Sequence, residues 1–414
     1  MNERKGKCAL MGKNRFFAIV SFFCCVLAGA GEIYVDYNAS AQGDGSREKP
    51  FRDFDRAIRK AQPGDTVKIL PAGRIIHDTL RFANVRGTAD KPIVVDGMFN
   101  IFSGVKAIDP AQWQEKSPGL FCRRAKMAEP MRNRFFLVMS GKIVRMGRYT
   151  KGRGAAKFKK PEALGPGEWT TCPTSDKKHW DIFVRLPENC ASLKDAQIEE
   201  PTMKTVSGVI FYGKEGSSHV TVRNVIVRHV WNDGFNFHGP NTHLVLENIA
   251  AVECGDDGIS AHEENQIFVR NFVAIGNSTG ICHIQKADCS HENVYLEGNL
   301  GVDVEFVQDS RNVLKNAAVS GIAHDGILVG NRTGYMLMEN CRFIDRSGKS
   351  PFRFPTKTEA KLEVRGVQFS GYQPKNLPDS IKKTEEAQLK PAVEEMRKKL
   401  FAIFGGQLER ALKP

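Results

Sequence analysis

From Val222 onward the chain repeats one short pattern: an apolar residue, a variable one, asparagine, then apolar, variable, apolar. Asn224 (VRNVIV), Asn248 (LENIAA), Asn271 (VRNFVA), Asn293 (HENVYL), Asn316 (LKNAAV) and Asn340 (MENCRF) carry it, and Gly366 (VRGVQF) closes the series. The intervals are 24, 23, 22, 23, 24 and 26 residues. Gly234, Gly258, Gly280 and Gly326 march in step with them. A period near 23 with two or three short alternating strands is what one turn of a parallel β-solenoid needs, and a βαβ unit would require a helical stretch that these coils lack. Propeller blades run to about 40 residues, and a leucine-rich repeat would show L-x-x-L-x-L, which is absent. Asparagine suits the bend between strands because it tolerates the left-handed region, and its amide can bond the same amide one coil away.

The first thirty residues read as a secretory signal, residues 1–30: Arg4, Lys5, Lys7, Lys13 and Arg15, the apolar run from Phe16 to Leu27, then a small-residue end at Ala30. The apolar run is too short to span a bilayer, so the mature chain is expected to be secreted or periplasmic, with an uncleaved anchor as the alternative. Seven cysteines (Cys122, Cys172, Cys190, Cys254, Cys282, Cys289 and Cys341) follow, an odd number without C-x-x-C spacing, which indicates neither a complete disulfide framework nor a zinc site. The formal charge of +13 falls to about +9 on cleavage. From Phe121 to Lys160 thirteen Lys and Arg, including Arg123, Arg124, Arg132, Arg134, Arg145, Arg148, Lys159 and Lys160, face the single acid Glu129. For an exported protein this excess predicts an anionic polysaccharide partner rather than nucleic acid, or else a solvated basic face. A monomer is expected.

These repeats, together with the opening "IYVDYNASAQGDGSREKPFRDFDRAIRKAQPGDTVKIL", resemble the secreted right-handed parallel β-helix proteins of the pectin lyase-like superfamily. The resemblance implies an all-β fold with a capping helix over Pro50 to Ala61, then a strand from Thr66 to Leu70 after the Pro63-Gly64-Asp65 turn. Residues 31–104 would hold the cap and first coils, 105–205 a basic β-rich insertion, 206–373 the main coils, and 374–414 a tail of two helical stretches broken near Pro391 that caps the far end.

Side chains alternate across a strand, so phasing each coil on its glycine sends Phe235, Phe237, Ile259, Ala261 and Ile281 inward and Asn236, His238, Ser260, His262, Cys282, Asp303 and Glu305 outward, with His283 on the inward column. Stacked coils lie about 4.8 Å apart, which places Asp233 beside Asp257, Asn236 beside Ser260 and His238 beside His262. Carboxylates so close cannot easily all be ionised, the condition for an acid and base pair.

The spacing of Asn232-Asp233 and Gly255-Asp256-Asp257 is similar to that of polygalacturonase-type glycoside hydrolases. That resemblance implies inverting hydrolysis, with Asp256 as general acid and Asp233 with Asp257 serving the attacking water. It departs from the family where Thr279 takes a histidine slot and where no Arg-x-Lys follows. A second resemblance, of "SAHEE" around His262 to uronate lyases and C5-epimerases, adds His262 as a catalytic candidate and Lys286 as a base or carboxylate clamp. Asn236, His238, Ser260, Glu263, Lys286 and Glu305 are the candidate substrate-binding residues. No cofactor is required, although a lyase could draw calcium ligands from Asp256, Asp257, Glu263 and Asp303.

The repeat offers a simpler account of part of this set. Asp-Gly is ordinary turn chemistry, and it recurs at Asp233-Gly234, Asp257-Gly258 and Asp325-Gly326. Asp256 and the histidine column are what the turn does not explain. The leading expectation is a secreted polysaccharide-cleaving hydrolase. The alternatives are a uronate lyase or epimerase, and a non-catalytic glycan-binding β-helix.

Overall fold

The computed structural model describes residues 30–39, 43–126, 134–147, 157–176 and 178–413, so the signal segment before Ala30, Arg132 and Arg148 lie outside the described residues. The chain winds as a parallel β-solenoid of two long sheets, one of fourteen strands and one of nine. Each central coil gives a longer strand to the first sheet, such as Val220–Arg228, Leu244–Val252 and Gln266–Ile275. It gives a shorter one to the second, such as Phe235–Phe237, Asp257–Ala261 and Thr279–His283. One apolar column of interior side chains runs from Ile33 to Ile381.

The asparagines bend the long strand. Asn224, Asn248, Asn271, Asn293, Asn316 and Asn340 all have φ between 51° and 59°, in the left-handed region. Their amides stack: Asn248 donates to Asn224 (2.9 Å), Asn271 to Asn248 (2.8 Å), Asn293 to Asn271 (3.1 Å) and Asn340 to Asn316 (2.8 Å). Asn224 carries the ladder one coil further by donating to Asp96 at 2.9 Å.

Immediately before these asparagines stands a second ladder that the repeat pattern leaves unremarked. Pairing in register puts Asp96, Arg223, Glu247, Arg270, Glu292, Lys315, Glu339 and Arg365 in one column of strictly alternating charge. Arg223 meets Asp96 at 2.9 Å, Arg270 meets Glu247 at 3.5 Å and Glu292 at 3.6 Å, and Lys315 meets Glu339 at 3.0 Å. Cross-strand opposite charges contribute roughly 0.2–1 kcal/mol each, and like charges cost a similar amount. Arg270→Glu, which sets three acids in a row, is therefore expected to lower the unfolding free energy by about 1–2 kcal/mol at low salt, less at high salt, with Arg270→Gln intermediate. Urea denaturation at two ionic strengths checks it.

After the asparagine both faces of the strand are apolar. Val225 and Val227 point into the solenoid, while Ile226, Ala250, Val273, Tyr295 and Ala318 point outward and need a cover. The C-terminal tail supplies one. A helix Glu386–Ile403 and a short helix Gln407–Leu412 lay Leu389, Val393, Leu400, Phe401, Phe404 and Leu408 along this column. The tail thus covers a side of the solenoid and does not cap its end, because the exposed apolar surface lies on the side. Nor does the helix break at Pro391. That proline sits in its second turn and removes a single amide, with Leu389 and Val393 anchoring either side. The break falls instead at Gly405 and Gly406, with φ of 54° and 84°.

The N-terminal helix spans Phe54–Lys60, shorter than the spacing predicts. Asp53 caps it by accepting from the Arg56 amide, and Phe51 is drawn instead into a bridge with Val35. Phe54, Ala57 and Ile58 are buried against the first coil. Thr66–Leu70 is a strand, as expected.

Between the early and the main coils the chain builds two four-stranded sheets whose pairings are antiparallel, with a core of their own that includes Trp113, Phe135, Trp169, Trp180 and Ile182. Part of the positive charge counted along 121–160 is balanced in space by acids from elsewhere in the chain. Arg123 pairs with Glu200, Arg124 Nε with Asp181 at 2.9 Å, and Lys159 with Glu168 at 2.6 Å. Those acids come from beyond the basic stretch, so counting charge along the chain hid them. Among the described residues no helix is long and apolar enough to cross a membrane.

Candidate functional site

On the outer face of the second sheet, one residue per coil falls into register as Asn236, Ser260, Cys282 and Glu305. Phe235, Phe237, Ile259, Ala261 and Ile281 point the other way, into the core. Beyond this column His238 and His262 stack at 4.6 Å with 14° between their rings, and Ser260 Oγ lies 2.9 Å from His262 Nε2. The face is hollowed into a cleft of about 480 Å³.

Three aspartates gather at one wall of the cleft. Asp233, Asp256 and Asp257 are 4%, 3% and 2% exposed, and one oxygen from each lies within 4.8 Å of the others. Two features hold them there. The one-coil spacing stacks Asp233 against Asp257, and Asp233 Oδ1 accepts from the Asp257 amide at 3.0 Å. Asn232 donates from Nδ2 to Asp233 Oδ2 at 3.0 Å, while its carbonyl accepts from the Asp256 amide at 2.9 Å.

The glycines next to the aspartates have a different reason from the one the turn chemistry suggests. Asp257–Ala261 is a strand, and a Cβ on Gly258 would lie 2.7 Å from the Gly280 carbonyl oxygen. On Gly234 it would lie 2.7 Å from the Gly258 oxygen and 2.8 Å from the Ala251 Cβ. Crowding between stacked coils demands glycine here. Gly326 alone of the three Asp-Gly pairs has a left-handed φ, 58°.

The fourth charged member comes from the insertion. Arg134 Nη2 sits 2.8 Å from Asp256 Oδ2, Nη1 donates to Asn232 Oδ1, and the guanidinium lies 5.7 Å from the Trp231 ring centre. Sequence reasoning counted Arg134 among the basic cluster but could not place it, since nothing local says which coil an insertion reaches. It also missed Gln308, which lines the cleft with Cys282.

Of the sequence candidates, Asp233, Asp256, Asp257, His238, Ser260, His262 and Glu305 line the cleft together. Glu305 approaches Cys282 Sγ at 3.8 Å. Three candidates do not join them. Asn236 stands in the outward column but is buried and does not line the cleft, and its Oδ1 finds no hydrogen-bond partner among the described residues. Glu263 occupies a left-handed bend at φ 60° and is engaged in a turn ladder, its carboxylate accepting from the Gly239 amide and its own amide donating to Gln285 Oε1 at 2.6 Å. It still comes within 3.9 Å of His238 Nδ1. Lys286 pairs with Glu264 at 3.0 Å on an exposed loop.

Asp303, expected outward, is fully buried. It accepts from Asn299 at 3.3 Å and from the Tyr372 hydroxyl at 3.2 Å, and burial pushes its carboxyl up to about 7. The calcium set of Asp256, Asp257, Glu263 and Asp303 is therefore not assembled, because two of its members are committed elsewhere. His283 does lie on the inward column, its Nε2 2.7 Å from that of His291 and its ring stacked on Phe306 at 5.6 Å.

A family model described as the right-handed β-helix region matches residues 207–369. No curated protein matches the sequence. Among solved structures, a glycoside hydrolase aligns at 12% identity over 89% of this chain and 98% of its own, with a TM-score of 0.52. A rhamnogalacturonan lyase aligns at 12% identity, over 86% of this chain and 87% of its own, with a TM-score of 0.44. A pectate lyase does so at 13%, over 86% and 78%, with a TM-score of 0.42. Identities this low speak to architecture alone. The matched region and the coil geometry agree that the chain folds as a right-handed parallel β-helix.

Proposed function

We propose that this protein is a secreted glycan-cleaving enzyme that hydrolyses a glycosidic bond at Asp233, Asp256 and Asp257. The observation that carries the reading is the meeting of three buried carboxylates, with oxygens within 4.8 Å, at the wall of an open cleft. Like charges so close share a proton, and Arg134 favours the ionised form at Asp256. A proton shared within the trio is donated to the glycosidic oxygen as the bond breaks. Asp256, kept anionic, attacks the anomeric carbon or takes the proton of the water that does. This reverses the role that the polygalacturonase resemblance implies for Asp256, and Arg134 is the reason. His262, held by Ser260, and His238 stacked on it face the same cleft and orient sugar hydroxyls.

Among the described residues the cleft carries Asp233, Asp256, Asp257 and Glu305 together with Arg134, His238 and His262. The reaction assigned to this cleft is hydrolysis of a polysaccharide. Digestion of a panel of neutral and uronate-bearing polysaccharides tests this. New reducing ends, without the ultraviolet absorbance of unsaturated uronate, are expected. Unsaturated products would replace hydrolysis by elimination, and no product on any glycan would sink the enzyme reading. The anomer released first, followed by NMR, tells whether Asp256 attacks directly or through water.

A further inference from the structure

The outer face of the first sheet carries a second hollow, lined by none of the acid trio. Strand parity sets its floor. Val222, Leu246, Val269 and Cys289 point into the core, so Thr221, Val245, Phe268 and Ser290 point outward, and pairing in register stacks them in one column. His219, His243, Gln266 and Asp288 stand on one side of that column. On the other side runs the charge ladder of Arg223, Glu247, Arg270 and Glu292. The trough between them holds about 480 Å³. From the coil of Pro92 to that of Ser290 it crosses four coil-to-coil steps, about 19 Å in all.

A pyranose ring offers an apolar face of C–H groups and a rim of hydroxyls, and it needs a surface that meets both. The trough is such a surface. Phe268 gives a partly buried aromatic floor, steadied by the Arg270 guanidinium 5.2 Å from its ring centre. His219 and His243 add planar rings, stacked at 4.5 Å with 11° between them. The hydroxyls of Thr221 and Ser290, the Gln266 amide and the Asp288 carboxylate supply donors and acceptors along the length. Gln266 is held in place by accepting from the His243 amide at 3.3 Å. The fixed charges cancel: Asp288 pairs with Arg311 at 3.6 Å, and the ladder alternates in sign. A neutral, hydroxyl-rich chain therefore matches the trough better than a polyanion. A polypeptide would bring an amide and a carbonyl to be satisfied at every residue, whereas the strands here pair their own backbone with neighbouring coils and offer the trough side chains alone.

We infer that this trough is a second carbohydrate-binding site, which takes an extended, uncharged stretch of glycan on the first sheet while the cleft on the second sheet does the chemistry. Binding in the trough does not depend on the hydrolase reading; only its benefit to turnover does. That benefit follows from the winding, because the strand Asp257–Ala261 leads directly into Gln266–Ile275. One turn thus carries both the acids and Phe268, and a polymer held in the trough stays beside the cleft.

Affinity electrophoresis of the purified full chain is the test, in gels cast with soluble xylan, mixed-linkage β-glucan, galactan or polygalacturonate. The Asp256→Asn background keeps the gel undigested, and thermal midpoints confirm that each variant folds. At least one neutral polysaccharide is expected to retard the protein. Phe268→Ala should weaken that retardation about tenfold, the scale of a lost aromatic contact. Val245→Arg, which fills the trough and leaves Phe268 in place, should do the same, while Phe268→Tyr keeps the binding. On a polymer that the enzyme cleaves, Phe268→Ala with Asp256 intact raises KM and leaves kcat unchanged, and on short oligosaccharides it changes neither. No retardation by any neutral polysaccharide, retardation by polygalacturonate alone, or retardation that survives both Phe268→Ala and Val245→Arg overturns the inference. So does sedimentation that shows a concentration-dependent dimer abolished by Phe268→Ala, which would give the trough to a second copy of the chain. If no glycan is cleaved but the trough variants lose retardation, the hydrolase reading fails and the binding site stands.

Discussion

Asp256→Asn is expected to lower kcat about 10²–10⁴-fold, the usual range for removing a general acid or base, while KM changes little and the fold is retained. The side chain keeps its shape and its contact with Arg134, losing only the charge. Removing one of three crowded carboxylates relieves repulsion but also gives up the ion pair with Arg134, so the thermal midpoint should change little. A purely structural role would give the opposite pairing, a lowered midpoint with activity tracking the folded fraction. Asp233→Asn is a less clean case, because the asparagine oxygen can still accept from the Asp257 amide but its NH2 then faces the Asn232 Nδ2 donor. Asp325→Asn is the control. That aspartate precedes a true left-handed glycine and pairs with Arg353 at 3.0 Å, away from the cleft, and its replacement should leave turnover unchanged. Equal activity in Asp256→Asn and Asp325→Asn would remove the trio from the chemistry.

Acid should destabilise the molecule from within, through His283 and His291. Both are fully buried, and desolvation holds His291 down to about 3 and His283 well below the ordinary histidine value. Below pH 6.5 the unfolded chain binds protons that the native interior refuses, so stability falls as pH falls through 6.5 toward 3. Between pH 7 and 5 the loss is about 2 kcal/mol per histidine. Asp303 works in the other direction. Its carboxyl titrates near 7 in the fold and near 3.8 when free, so between those values the native state holds the extra proton and stability rises as pH falls. That returns about 2 kcal/mol over the same interval, leaving a net loss of about 2 kcal/mol. Asp303→Asn removes the compensation. It should roughly double the acid loss, read from urea midpoints at pH 5, 6 and 7, while gaining stability near pH 8. An unchanged slope in that variant would show that Asp303 is not held protonated.

How far the sequence could be read depended on the kind of force at work. The coils were legible because a left-handed bend accepts few residue types, so asparagine must return at each turn. Inward and outward parity followed from alternation, which placed His238 over His262 and Asn236 over Ser260 correctly. Two further signals were present and unread. The residue before each asparagine alternates in charge, and the residue two after it is apolar where a solvent-facing position would be polar, as Ile226, Ala250, Val273, Tyr295 and Ala318 show. The second announced that something must cover this side of the solenoid. What could not be read was long-range pairing through the insertion. Arg134 lies 98 residues before Asn232, and Arg123 lies 77 before Glu200, distances at which no local pattern constrains the partner. The glycines misled for a related reason, since crowding between coils is invisible in a single strand.

The charge ladder beside the asparagines has a consequence for how such a molecule can grow or shrink. Asparagine repeats with every coil, but the sign beside it repeats with every second one. Along that edge the unit of translation is therefore a pair of coils, and the solenoid has a parity. Excising one coil would splice arginine onto arginine or glutamate onto glutamate, whereas excising two would leave the alternation whole. Insertions and deletions within this stretch should be tolerated in even numbers of coils and penalised in odd ones.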